Sequence, residues 1–187
     1  MEFVAAFLSR NPPQDTEAVL VDGARLVGSE LPDWAIESLW SLGSYPRHDL
    51  RREGWNGRDW LDRVLQQCRA RLADAGRDAP MSVPPSPYLH LAQTVLDEIL
   101  VVAEPMTEAS LNPGDTGRVA GPPGLVPALC ELTTKVCPDL AFRLFLNALA
   151  CFGPRSSPEQ YDRYRGIGRQ FGYGDNLVES HQYLIAS

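Results

Sequence analysis

Apolar side chains recur at helical spacing along nearly the whole chain and almost never alternate one residue in two. A period of 3.6 residues gathers such side chains on one face of a helix, whereas a half-buried strand needs a period of two. The chain therefore reads as all-α. Its 187 residues, 44% of them hydrophobic, suffice for a single continuous core. The spacing and its punctuation predict helices over about 2–9, 16–28, 32–42, 57–75, 88–104, 125–136 and 138–152. Another runs from Pro158 to Gly172, and a short last one is capped by Asp175 with Leu177, His181 and Leu184 facing inward. Eight or nine helices in one compact domain is the expected fold.

Stop and start signals place the boundaries. Asn56 is an N-cap residue ahead of Leu61, Leu65, Cys68 and Leu72, and Gly76 closes that stripe. Ser157-Pro158-Glu159-Gln160 has the pattern of a capping box with proline in the first turn. Residues 77–87 hold Pro80, Pro84, Pro85 and Pro87, so they read as an extended connector between a possible N-terminal subdomain (1–76) and a C-terminal helical part (88–187). Residues 88–104 are apolar over most of the helix circumference, which predicts a central, buried helix. From 105 to 124 four glycines and four prolines make one long Gly/Pro-rich loop, a length that is often functional.

Charge narrows the function classes. There are 24 acidic against 17 basic residues, a net of -7, which disfavours a nucleic-acid binder. The basic residues are 16 arginines and the single Lys135, a skew expected of a GC-rich bacterial coding sequence. Residues 1–40 carry seven acids and two arginines, and 88–115 carry five acids and no base, whereas 47–77 hold eight arginines against five acids. The Arg cluster sits among Tyr45, Trp55, Trp60, Asp49 and Glu53, so internal pairing is the expected role. An acidic rim beside a long loop suits a protein partner with a basic surface, because complementary charge speeds encounter and narrows partner choice. Glu104, Glu108, Asp115 and Arg118 are the candidate partner-binding residues.

Catalytic and metal signatures are sparse. His48, His90 and His181 are isolated, and the four cysteines (Cys68, Cys130, Cys137, Cys151) match no zinc spacing, so no metal and no cofactor is expected. No Gly-x-Ser-x-Gly elbow occurs, and the glycines of 165–174 follow no strand. Cys137 could cap the helix opening at Pro138, where the helix dipole favours a thiolate, but buried structural thiols are the simpler reading. The pair Asp97-Glu98 interrupts the most apolar segment, and one of the two could meet an arginine such as Arg143.

With no basic leader and no run of about 20 apolar residues, the chain is expected in the cytoplasm, off the membrane. These features favour a non-enzymatic protein-binding protein, concretely a small inhibitor of a basic partner such as a toxin-neutralising immunity protein. The alternative is a helical enzyme or small-molecule sensor with a pocket under the 105–124 loop. There His90, Asp97 and Arg143 would be its polar groups. An assembly subunit would instead show an exposed apolar patch around Trp34 and Trp40.

Overall fold

The computed structural model describes residues 2–44, 50, 53–80, 82–108, 121–180 and 185. Among them the regular secondary structure is all helical, apart from one parallel bridge between Ser156 and Ile185. The helices are α1 (Glu2–Arg10), α2 (Pro13–Val27), α3 (Asp33–Ser44), α4 (Gly57–Asp74), α5 (Ala92–Val101), α6 (Ala103–Glu108), α7 (Leu125–Lys135), α8 (Pro138–Phe152), α9 (Pro158–Gln170) and α10 (Asp175–Glu179). A single 3-10 turn, Leu89–Leu91, leads into α5. None of these helices is long and apolar enough to cross a membrane.

The predicted caps at Asn56 and Ser157 form, whereas Asp175 is the first residue of α10 and not the residue before it. Asn56 Oδ1 accepts the Asp59 N–H at 2.8 Å, and Ser157 and Gln160 complete a reciprocal capping box. The segment 88–104 departs from expectation. It divides into the 3-10 turn, α5 and α6, with the break at Val102. Proline is the cause: Pro105 has no N–H to offer the carbonyl of Val101, so the α5 ladder cannot continue through it. Glu104 and Glu108 accordingly belong to a helix and not to the start of a loop. The segment is also not buried all round, since Leu89, Leu100 and Val101 are 50%, 54% and 59% exposed.

Two apolar clusters hold the fold. The larger gathers α3, α5, α7, α8 and α9 around Val95, Ile99, Leu129, Leu132, Phe142 and Phe145. The smaller lies among α1, α2 and α4, with Val4, Leu8, Leu20, Trp60, Leu65 and Cys68. Val27 and Trp40 pack against both. Trp40 meets Trp60 edge-on, with ring centroids 5.4 Å apart. It therefore serves as a joint between clusters, while Trp34 on the same helix is partly exposed.

Arg58 and Arg63 of α4 and Arg77 just beyond it are used internally. Arg58 donates to the carbonyls of Val27 and Leu31 and, at 3.3 Å, to Asp33 Oδ1. It thereby satisfies open carbonyls at the end of α2 and anchors the start of α3. Arg63 lies over the Trp55 ring, 4.0 Å from its centroid, and Arg77 pairs with Glu17 at 2.6 Å.

Candidate functional site

Arg143 lies near the start of α8, whose N-terminal turn is fixed by Pro138 behind the extended Cys137. Its partner is neither Asp97 nor Glu98. Its guanidinium forks onto Asp22 of α2, Nη1 donating to Oδ2 at 2.8 Å and Nη2 to Oδ1 at 3.0 Å. Nη2 is also 3.6 Å from Asp139 Oδ2, and Nε donates to the Tyr173 hydroxyl at 3.1 Å. Burial would lower the Arg143 pKa, but the hydrogen bonds and charge of Asp22 outweigh it, and the net direction is upward. Glu98 instead pairs with Arg163 of α9, Arg163 Nε donating to Oε1 at 2.6 Å.

Tyr173 reaches this cluster because α9 ends abruptly. Gly172 takes a left-handed φ of +74°, so the N–H of Tyr173 bonds the Gly168 carbonyl at 3.0 Å and that of Gly172 bonds Arg169. The reversed chain brings the Tyr173 hydroxyl back to α8, where it donates to the Asp139 carbonyl at 3.1 Å. Gly168 also permits α10 to close on α9, since a Cβ there would lie 2.9 Å from Val178 Cγ2.

Cys137 completes the cluster. Its Sγ donates to Asp139 Oδ1 at 2.7 Å, Ser86 Oγ donates to the same oxygen at 3.1 Å, and Arg25 Nη1 donates to the sulfur at 3.3 Å. Burial first, then the Asp139 hydrogen bond, pushes the thiol up to about 11 from an ordinary 9.0. The helix N-terminus thus holds a protonated thiol here and not a thiolate. Because the folded value lies above the unfolded one, the thiol's contribution to stability is complete below pH 9.0. It is lost as pH rises toward about 11. At about pH 8 a disulfide reagent should modify exposed Cys151 promptly and reach buried Cys68 and Cys137 only on unfolding. Peptide mapping of the label checks this, and prompt labelling of Cys137 would show that its end of α8 opens.

Between α2 and α8 runs an open groove of about 440 Å³. Ala18 and Val21 give it an apolar wall, Asp22 and Arg25 continue that face of α2, and Arg143 and Tyr173 stand opposite.

His90 and Asp97 are exposed on the 3-10 turn and α5, and Asp97 accepts from Gln93 Nε2 at 2.7 Å. No hydrogen bond or ion pair among the described residues joins His90 or Asp97 to Arg143. α5 packs against α7 and α8, and Val95, Ile99, Phe142 and Phe145 are fully buried in one cluster there. Glu104 is exposed at the start of α6, and Glu108 ends that helix. Asp115 and Arg118 lie outside the described residues, as do His48, His181 and Leu184. Among the described residues no group of three His, Cys, Asp or Glu side chains is placed to hold a metal ion.

No protein-family model, curated protein or solved structure matches this chain.

Proposed function

We propose that the protein acts by binding another protein, and that the exposed face of the 3-10 turn, α5 and α6 is the contact surface. The exposure of Leu89, Leu100 and Val101 carries this reading. Three large apolar side chains on one stretch of helix are a surface that gains from being covered. Gln93, Asp97, Leu100 and Val101 share one side of α5 by their i, i+4, i+7, i+8 spacing, and Glu104 follows at the start of α6. An apolar centre with Asp97 and Glu104 beside it suits a partner that presents lysines or arginines around an apolar side chain. A small inhibitor of a basic protein is the concrete form of this reading.

The test is co-purification from the native cells with tagged wild type and with Leu100→Glu/Val101→Glu. A basic partner should be retained by the wild type and released as salt rises. It should bind the double variant at least about tenfold more weakly, or about 1.4 kcal/mol. Retention of no partner, or equal retention by the variant, would overturn the proposal.

A further inference from the structure

We propose that the groove between α2 and α8 is a binding site for a small organic monocarboxylate, its acid group held by Arg25 and its apolar body laid over Ala18 and Val21. The groove's volume of about 440 Å³ falls within the range of small-molecule sites, and it combines an apolar wall with a few polar groups at one end.

The ligand class follows from which of those polar groups is already satisfied. Arg143 uses its fork on Asp22 and its Nε on Tyr173. Asp139 accepts from Ser86 and Cys137, and it also faces Arg143. Arg25 differs from both. Its Nη1 meets a thiol sulfur, a weak acceptor, and an Asp22 oxygen only at 4.0 Å, while its Nε is buried without a hydrogen-bond partner. A guanidinium presents its donors in a planar fork that fits a carboxylate. An incoming carboxylate therefore supplies acceptors that the protein does not.

A cationic ligand finds the opposite situation, because Asp22 and Asp139 are already engaged by Arg143. A phosphate monoester would bring close to two negative charges beside those carboxylates, so a monoanion with a hydrocarbon body fits better. The groove and the α5 face lie on different elements, so the two proposals stand or fall separately.

The test is calorimetric titration of the whole chain with benzoate, with benzyl alcohol and benzylammonium as neutral and cationic counterparts. Benzoate is expected to saturate the protein with a Kd of about 1 mM or tighter, and the two counterparts to bind at least about tenfold more weakly. Arg25→Gln should weaken benzoate by about tenfold or more. Ala18→Trp should do the same by filling the groove from an exposed position while leaving Arg25 in place. That second variant decides the matter if Arg25→Gln fails to fold, as far-UV circular dichroism will show. No saturation by benzoate, equal binding of benzyl alcohol, or binding unchanged by Ala18→Trp would overturn the site.

Discussion

Phe145→Ala is expected to lower the unfolding free energy by about 4 kcal/mol. Phe145 is fully buried in the larger cluster, tilted against Phe142 with centroids 6.4 Å apart and edge-on to Tyr164 at 5.6 Å. Removing the ring loses its transfer free energy and leaves a cavity among aromatic side chains that cannot all move in. The readout can also establish whether the two clusters unfold together. All four tryptophans, Trp34, Trp40, Trp55 and Trp60, lie N-terminal to the 77–87 connector, and Trp60 belongs to the smaller cluster. Tryptophan fluorescence thus reports mainly on the smaller cluster and the joint, with Trp34 beside Gly124 adding a signal from the start of α7, while far-UV circular dichroism reports on every helix. If Val27 and Trp40 couple the clusters into one unit, both signals should show the same reduced urea midpoint in Phe145→Ala. A fluorescence midpoint left at the wild-type value would mean that α1, α2 and α4 unfold by themselves.

Most of the helices were legible because their ends are marked locally. Asn56, Ser157-Pro158 and Gly172 act on backbone groups within four residues, and such effects need no knowledge of the rest of the chain. The break at Val102 has its signal in Pro105, because a proline withholds its N–H from the carbonyl four residues upstream. The candidate site was much less accessible. Helical spacing reveals neighbours at i+3 and i+4, but Arg58 bonds a carbonyl 31 residues away, and Arg143 forks onto a carboxylate 121 residues away. Those pairings depend on how the helices pack. An amphipathic pattern says which face is buried and leaves open which helix covers it. The exposure of Leu100 and Val101 is the same lesson in reverse: near-continuous hydrophobicity predicts burial, but α5 has neighbours on only part of its circumference.

Arg143→Ala is expected to cost about 3 kcal/mol, the second large loss. Truncating one member of a buried ion pair leaves the other charge uncompensated, a change of about 3–5 kcal/mol when both are fully enclosed. Arg143 is 31% exposed and Asp22 19%, so water recovers part of that and the lower end applies. Asp22→Asn should cost less, about 1–2 kcal/mol, because Arg143 retains Asp139 and Tyr173. The double variant separates pairing from packing. If the fork onto Asp22 is the main term, the two losses combined should exceed that of the double variant by about 1 kcal/mol or more in chemical denaturation. Additivity would place the importance of Arg143 in its contacts with α8 and Tyr173 alone. Arg143→Lys sharpens the distinction, since an ammonium keeps the charge but cannot hold both Asp22 oxygens and the Tyr173 hydroxyl at once. It should recover less than half of the loss. The raised Arg143 pKa means that this contribution is complete at every pH below the ordinary arginine range, so the cycle should give the same coupling at pH 7 and pH 9. A coupling that fell between those values would overturn this assignment, because Cys137, raised to about 11, stays protonated in the folded protein across that range.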